Sequence, residues 1–443
     1  MITEISRSTL KEIRNPDFAA YARQYLDIYD RFLDQVRGLG LDFEPVDSRA
    51  ETAQKMASLV EKGARLHNGG RALFVSRMSP ACVACQTGVG SATFFISLKC
   101  HRQCFYCFNP NQEEYDAFRA RQRDVSAELE ELHRSGQEAR YLALTGGEPL
   151  LHREEALDFF RTARRCFPEA GTRLYTSGDF VDEALLTELR DAGLEEIRFS
   201  LRLQDSEPVR LAGLERIALA TRYLPRVMVE MPVLPGRLDE MKDILLRLDE
   251  AGAFGINLLE LCFPFNNAES FRSRSLRLKN PPYRVLYNYW YAGGLPVAGS
   301  ERDALELLDF ALERRLRLGV LYCSLENKHT GQLYQQNAGA SVPETHRLSP
   351  RDYFLKSAKV FGNDGERVKI AFRRQGFKGF VENPRLGFVE FPPDRVRDLA
   401  TGLPNLEVAI SSGVMEARED GKYLREVKVD LIHPGTFDPD TEL

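Results

Sequence analysis

From about residue 91 to residue 335, short apolar segments alternate with amphipathic helical segments. Five segments have helical spacing of apolar residues, at 153–165, 182–192, 211–223, 241–250 and 302–316. Seven segments read as strands, at 93–98, 141–144, 173–175, 196–201, 227–230, 255–261 and 319–322. This alternation predicts an α/β fold whose parallel strands are joined by right-handed crossovers, in a partial or nearly complete barrel. Chemistry in such barrels occurs at the carboxyl ends of the strands.

The regions on either side of this alternation have different patterns. Residues 16–36 and the stretch after Ser48 read as helices, so residues 1–90 are predicted to form a helical N-terminal extension. Residues 345–443 are predicted to form a small β-rich C-terminal domain, with a short helix near 395–400. Its predicted strands are 368–372, 379–382, 387–391, 406–410 and 427–432.

Three cysteines follow the first predicted strand at C-x3-C-x2-C spacing. They are Cys100, Cys104 and Cys107, and Tyr106 directly precedes the last. Three thiolates can hold three irons of a [4Fe-4S] cluster and leave the fourth iron open, whereas a cluster that only carries electrons normally takes four cysteines. A zinc site is the alternative, but zinc sites usually add a second pair of ligands, which His101 does not complete.

A second motif follows the second predicted strand. The chain continues there through Thr145, Gly146, Gly147, Glu148 and Pro149. Glycines let the backbone approach a ligand closely, and a carboxylate is complementary to an ammonium group. Together the two motifs resemble the radical S-adenosylmethionine (SAM) superfamily. In that superfamily SAM chelates the open iron through its amino and carboxylate groups, and an electron from the cluster cleaves the sulfonium.

The resemblance implies a set of SAM-binding residues at the strand ends. Each of the strand-end residues reads equally well as a polar residue of the barrel interior. The cofactor-binding candidates are Tyr106, Gly146, Gly147, Glu148, Thr176, Ser200, Arg202 and Glu230.

Four further cysteines form a second candidate site. Cys82 and Cys85 form a C-x2-C pair, and Cys262 and Cys323 end predicted strands. Four thiolates suit a single iron or zinc ion, or an auxiliary cluster. Alternatively, the strand-end pair are buried thiols that bind nothing. Cys166, within a predicted helix, is expected to lie in the core.

A closer resemblance covers residues 104–115 and 322–330. These stretches resemble the methanogenesis-marker radical SAM methyltransferases, which C-methylate an arginine of methyl-coenzyme M reductase with cobalamin as methyl carrier. The resemblance implies cobalamin capped by the C-terminal domain, and a single iron ion held by Cys82, Cys85, Cys262 and Cys323. It also implies that Tyr115 ligates the fourth iron when SAM is absent. The chain departs from the larger cobalamin-dependent group, because no Rossmann-like pattern precedes residue 91.

The predicted function is therefore methyl transfer, through cobalamin, to an unactivated sp3 carbon of a peptidyl arginine. Glu260 and Glu326, with Asp179, are acids near strand ends that could receive a guanidinium group. The expected partners are an arginine-containing peptide or protein and a reductant such as ferredoxin or flavodoxin. The alternatives are a cobalamin-free peptide maturase with an auxiliary iron-sulfur cluster, and a non-catalytic iron-sulfur protein.

Composition restricts the compartment and the partners. The net charge is −5, so nothing in the global balance favours nucleic acid. No apolar run is long enough to span a membrane, and the first fourteen residues carry charges where a signal peptide needs an apolar stretch. A cytoplasmic, reducing location is expected, in which the eight cysteines ligate metal and do not form disulfides.

Overall fold

The computed structural model describes residues 1–282 and 294–443. Its strands are β1 Arg65–His67, β2 Ala72–Val75, β3 Ser91–Phe95, β4 Tyr141–Thr145, β5 Gly171–Thr176, β6 Glu196–Ser200, β7 Arg226–Val233, β8 Gly255–Glu260, β9 Cys262–Phe263, β10 Leu295–Pro296, β11 Gly319–Cys323, β12 Arg347–Leu348, β13 Leu355–Phe361, β14 Val381–Asn383, β15 Phe388–Phe391, β16 Val408–Arg418 and β17 Gly421–Ile432. Its helices are α1 Pro16–Gly38, α2 Arg49–Glu61, α3 Pro80–Ala84, α4 Tyr115–Ala120, α5 Val125–Arg134, α6 Arg153–Cys166, α7 Glu183–Ala192, α8 Glu207–Ala220, α9 Leu238–Glu250, α10 Ala268–Arg272, α11 Ser300–Glu313, α12 Leu325–Asn337, α13 Asn363–Arg374 and α14 Pro439–Glu442.

The chain forms two compact units. One contains Gly40–Gly331, and the other combines Met1–Leu39 with Gln332–Leu443. The division into domains at 1–90, 91–335 and 345–443 stays a prediction. By contacts, residues 1–39 group with the C-terminal region and not with residues 40–90.

The larger unit is built on a nine-stranded sheet in the order β1-β2-β11-β8-β7-β6-β5-β4-β3. Seven neighbouring strands, from β3 to β11 in this order, are parallel; β2 then pairs antiparallel with β11, and β1 pairs antiparallel with β2. The sheet is open, because β1 and β3 at its edges do not pair within the described ranges. The predicted α/β fold with alternating strands and helices is confirmed, and every predicted strand end lies within three residues of the observed one.

The two faces of this sheet have different chemistry. Leu174, Ile197, Val229 and Ile256 belong to the large buried core that the flanking helices share. Because side chains alternate across a strand, their neighbours point to the opposite face. That face carries polar side chains, among them Arg173, Tyr175, Arg198, Glu230 and Asn257. The sheet therefore packs helices on one side and presents a polar interior on the other.

The smaller unit is an antiparallel sheet in the order β14-β15-β13-β16-β17, with β12 paired to β13. Helix α1 packs on one face through Phe18, which stacks on Phe361 at 5.2 Å. Helix α13 packs on the other face through Val368 and Phe372. The predicted small β-rich region is confirmed in outline.

One element of this unit was predicted wrongly. Residues 368–372 were predicted as a strand but lie in α13. Val368 and Phe372 are four residues apart and share the buried helix face, while β13, just before, supplies the central strand. The short helix predicted at 395–400 is a 3-10 segment, Pro393–Leu399.

No helix within residues 1–282 or 294–443 is both long enough and apolar enough to cross a membrane.

Candidate active site

The three cysteines at C-x3-C-x2-C spacing lie on the loop that leaves β3. Residues 96–114 form this cluster loop, which ends where α4 begins. Its first residues include the buried Ile96 and Leu98. Cys100 is exposed, while Cys104 and Cys107 are half-buried. The Cys107 amide donates to the Cys104 carbonyl at 3.0 Å. The loop thus collects three free thiols at the carboxyl end of the first parallel strand.

The protonation of these thiols depends on a metal. Burial raises the pKa of Cys100 and Cys104, and it raises the pKa of Cys107 to about 11. Backbone amide donors and the Arg202 guanidinium oppose the rise only in part. The thiols are therefore neutral at pH 7 without metal, and the charge of a bound iron would be needed to convert them into thiolate ligands. Three such thiols on one partly enclosed loop fit a [4Fe-4S] cluster with one open iron.

Tyr106 and Arg202 both influence Cys104, the first through a hydrogen bond and the second through its charge. The Tyr106 side chain hydrogen-bonds to Cys104, and burial raises the pKa of its phenol well above the usual value. Arg202 is 5% exposed, donates to Asp205 at 3.0 Å and lowers the pKa of Cys104 through its charge. A hydrogen-bond donor and a cation next to a cluster ligand stabilise negative charge on its sulfur.

The glycine pair joins the end of β4 to the cluster loop. A Cβ atom at Gly147 would lie 2.0 Å from the Lys99 carbonyl oxygen, and one at Gly146 would lie 2.6 Å from that of Ser97. Gly146 also has φ +117°. The Gly147 amide donates to the Ser97 carbonyl at 3.1 Å, and the Glu148 amide donates to the Lys99 carbonyl at 2.8 Å. The sequence reasoning missed this close contact between two backbones.

The Glu148 carboxylate is 1% exposed and accepts three hydrogen bonds. They come from the Thr176 hydroxyl at 2.7 Å, the Ser177 amide at 2.7 Å and the Leu150 amide at 3.1 Å. The structure thus brings Glu148 and Thr176 together from neighbouring strands. Their contact fixes the loop after β5 beside the glycine turn.

Asp179, on the loop after β5, holds two residues of the cluster loop in place. Its carboxylate accepts from Arg102 Nε at 2.6 Å and Nη2 at 2.5 Å, and it lies 2.7 Å from His101 Nε2. Burial opposes ionisation, but these hydrogen bonds hold the pKa of Asp179 well below its usual range. Asp179 is therefore an anchor for residues 101–102, and its charge is already balanced.

Tyr115 lies where the cluster loop enters α4. Burial raises the pKa of its phenol, and Cys107 and Cys100 are close enough to raise it further. The Arg119 guanidinium lies 5.4 Å from the centre of the Tyr115 ring and acts in the opposite direction. The structure places Tyr115 near the cluster cysteines, while its role as an iron ligand stays a prediction.

Glu230 belongs to a buried polar network on the interior face of the sheet. It accepts from Arg198 Nη1 at 2.5 Å and from Asn257 Nδ2 at 2.8 Å. Arg198, which is 3% exposed, also donates to Glu196 at 2.6 Å. Ser200 pairs in register with Glu230 at the end of β6. Their predicted contacts with SAM stay predictions, and Glu230 already has protein partners.

The second cysteine set is only partly brought together. Arg198 Nη2 lies 3.3 Å from Cys82 Sγ, and Asn327 Nδ2 donates to Cys323 Sγ at 3.2 Å. Burial raises the pKa of Cys323 to about 12, and Cys85 and Cys82 add to the rise. The charges that act on Cys262 are those of Lys328 and Glu260. Within the described part of the chain, no three His, Cys, Asp or Glu side chains are arranged to hold a single metal ion.

The two acids predicted to meet the substrate differ in their surroundings. Glu260 is 4% exposed, and its Oε2 accepts from the Leu325 amide at 2.7 Å. Its Oε1 has no hydrogen-bond partner among the described residues and lies 3.7 Å from Lys279 Nζ. Burial raises the pKa of Glu260. Glu326 instead accepts from Arg71 Nε at 2.7 Å.

Comparisons with known proteins agree with the site in outline. Residues 94–248 match the model of the radical SAM superfamily. A protein of Methanocaldococcus jannaschii, named as a candidate glycyl-radical enzyme activating enzyme, is 24% identical over 305 residues, which cover 67% of this chain and 77% of the relative.

Similar solved structures include Streptococcus suis SuiB bound to S-adenosylmethionine, at 11% identity and a TM-score of 0.39, covering 53% of this chain and 50% of that one. They also include anSMEcpe with bound AdoMet and the Cp18Cys peptide, at 16% identity and a TM-score of 0.31, covering 38% of this chain and 50% of that one. The chain thus spans about half the length of these two structures.

Proposed function

We propose that this chain, which carries a radical SAM domain over residues 94–248, binds SAM at the open iron of a cluster held by Cys100, Cys104 and Cys107 and cleaves it reductively. The observation that carries the proposal is the joint between the glycine turn and the cluster loop. A Cβ at Gly147 would lie 2.0 Å from the Lys99 carbonyl oxygen, so only a residue without a side chain lets the turn pack this closely against that loop. This contact places the Glu148 segment beside the three thiols.

A [4Fe-4S] cluster held by Cys100, Cys104 and Cys107 would supply the one electron that reductive cleavage of the SAM sulfonium requires. The protein side chains prepare the surroundings of that step. Tyr106 and Arg202 stabilise charge on the Cys104 sulfur. Glu148, with Thr176 and the Ser177 amide, keeps the loops after β4 and β5 in fixed positions. Asp179 holds residues 101–102 of the cluster loop.

The test is SAM cleavage by anaerobically reconstituted protein with dithionite as reductant. Wild-type protein should release 5′-deoxyadenosine, and Cys104→Ala should lose this activity because one iron loses its ligand. Cys166→Ala, in α6, is the matched control and should keep it. Cleavage that persists in Cys104→Ala, or a wild-type protein that binds no cluster, would contradict the proposal.

The finer proposal concerns the substrate and the methyl carrier. It is C-methylation of an sp3 carbon of a peptidyl arginine through cobalamin, and it rests on the resemblance over residues 104–115 and 322–330. The surroundings of Glu260 add no support for the arginine part, because its Oε1 is buried and lies 3.7 Å from Lys279 Nζ. No contact among the described residues identifies a corrinoid site, so no step is assigned to cobalamin.

A cobalamin-free peptide maturase with an auxiliary cluster is the second candidate. It is supported by the effect of Cys85 and Cys82 on the pKa of Cys323, which indicates that these three sulfurs lie near one another. Corrinoid absorbance after purification with cobalamin separates the two candidates. A protein that binds no corrinoid and still modifies a peptide would contradict the methyl-transfer proposal.

The extra iron is tested separately by metal analysis. Arg198 and Asn327 place N–H groups 3.3 Å from Cys82 Sγ and 3.2 Å from Cys323 Sγ, where they could hydrogen-bond sulfurs that ligate a metal. If they hold a single iron, Cys323→Ala should lower the iron content by about one atom per chain, and an auxiliary cluster would lose more. Cys262→Ala shows whether the fourth cysteine takes part, with Cys166→Ala as control. Iron content unchanged in Cys323→Ala would contradict a metal at this site.

A further inference from the structure

A cavity of about 480 Å³ opens beside the first residues of the cluster loop. Its lining includes Lys99, Arg119, Arg121 and His152, with Asp116 as the acidic member. Lys99 directly precedes Cys100, so this cavity adjoins a cluster ligand. The predicted SAM-binding residues do not line it.

The cations of this cavity are available to a partner. The Arg119 and Arg121 side chains are 53% and 58% exposed. Their acidic neighbours within the chain are loosely held, because Arg119 Nη1 is 3.8 Å from Asp116 and Arg121 Nη2 is 3.6 Å from Glu114. Exposed pairs of this kind contribute little, roughly 0 to 1 kcal/mol, so the guanidinium groups can exchange them for other carboxylates at small cost.

The wall of the cavity is tied to the cluster loop. His152 Nε2 lies 2.8 Å from the Ser97 hydroxyl, and His152 Nδ1 lies 2.8 Å from Gln122 Nε2. The Ser97 carbonyl in turn accepts the Gly147 amide. A partner seated here therefore meets a surface whose position relative to Cys100 is fixed by hydrogen bonds.

We propose that this cavity and its rim, Lys99, Arg119 and Arg121, form the docking site for an acidic one-electron carrier protein of the ferredoxin or flavodoxin class. The proposal rests on the proposed function, because it identifies the source of the electron. Each encounter oxidises the carrier by one electron and reduces the cluster by one, and no proton or group is transferred.

Charge complementarity favours this occupant. The chain has net charge −5, which repels an acidic carrier at long range. The lining of the cavity nevertheless holds Lys99, Arg119 and Arg121 against the single acid Asp116, so this part of the surface is locally basic. Electron-transfer complexes are small and transient, and opposite charges mainly raise their rate of association. A basic rim next to a cluster ligand meets these requirements.

The test compares two reductants on the reconstituted full chain. With an acidic flavodoxin at low ionic strength, Lys99→Glu/Arg121→Glu should raise two quantities about tenfold: the dissociation constant of the carrier complex, measured by titration calorimetry, and the carrier concentration that half-saturates SAM cleavage. It should also flatten their dependence on salt. With dithionite, Arg121→Glu should cleave SAM at the wild-type rate. Arg121→Glu alone leaves the neighbour of Cys100 unchanged and should shift the carrier dependence in the same direction.

Arg190→Glu/Arg247→Glu is the matched control. These side chains on α7 and α9 are 49% and 47% exposed and also pair with nearby aspartates. A carrier dependence that is the same in wild type, Arg121→Glu and the control would overturn the docking site. A dependence on inorganic phosphate, with no shift for flavodoxin, would also overturn it and assign the cavity to a small anion. Failure of wild type with dithionite would instead contradict the proposed function.

Discussion

The carboxylate of Glu148 has a structural role in this site. The sequence suggested a carboxylate for the SAM amino group, and the structure shows that the carboxylate accepts three hydrogen bonds from its own chain. These donors come from Thr176, the last residue of β5, and from residues that follow β4 and β5. The carboxylate therefore links two strand ends next to the cluster loop. Glu260 differs, since one of its buried oxygens has no such donor among the described residues.

Glu148→Gln is expected to lower the free energy of unfolding by roughly 1 to 3 kcal/mol. In glutamine one of the two side-chain oxygens becomes an NH2 group, which cannot accept a hydrogen bond. Either the Ser177 amide, or the Thr176 hydroxyl and the Leu150 amide, then lose their acceptor. Urea unfolding measures the change. Glu130→Gln, at a side chain that is 48% exposed, is the control and should change stability by less than about 0.5 kcal/mol. Equal stability of Glu148→Gln and this control would show that the buried carboxylate is not needed.

At the scale of elements, the joint between β4 and the cluster loop depends on the absence of a side chain. Gly147→Ala would place a Cβ 2.0 Å from the Lys99 carbonyl oxygen, and backbone on both sides leaves little room to relax. The variant is expected to bind less iron on reconstitution, because residues 97–100 must move away. Iron content per chain measures this, with Gly402→Ala, where a Cβ meets nothing within 4 Å, as control. Full iron loading of Gly147→Ala would show that the close packing of Gly147 against Lys99 is not needed for iron binding.

Much of the larger unit could be predicted, because alternating apolar strands and helices leave a clear signal in the sequence. The cluster cysteines and Gly146-Gly147-Glu148 could be found because their spacing is local. The clamp from Asp179 to His101 and Arg102 could not, since it joins residues 77 and 78 positions apart by side-chain contacts. Residues 368–372 of helix α13 were mistaken for a strand because Val368, Ile370 and Phe372 alternate as they would in a strand. Val368 and Phe372 are also four residues apart, which is the spacing of one helix face.

At the scale of the molecule, helix α1 and the C-terminal sheet form one unit although they lie at opposite ends of the sequence. A buried network contributes to this association. Glu426 accepts from the Tyr21 hydroxyl at 2.6 Å, from Tyr25 and from Ser411, and it pairs with Lys359. Burial opposes its ionisation, but the Lys359 ammonium and these hydrogen bonds lower the pKa of Glu426.

This lowered pKa predicts a pH dependence. A carboxylate with a depressed folded pKa contributes stability above its unfolded value, near pH 4, and that contribution is lost as pH falls through the folded value. Glu426→Gln should therefore increase hydrogen exchange in β16 and β17 at pH 7, relative to wild type at the same pH. The difference should narrow below about pH 4. A difference that is constant with pH would show that the charge of Glu426 is not what stabilises the network.

The central claim, a three-cysteine cluster whose fourth iron binds SAM, is tested most directly by electron paramagnetic resonance of the reduced, reconstituted protein with and without SAM. The account predicts the signal of a reduced [4Fe-4S] cluster whose shape changes when SAM is added, since a new ligand alters the electronic surroundings of one iron. A cluster signal that is identical with and without saturating SAM would contradict it.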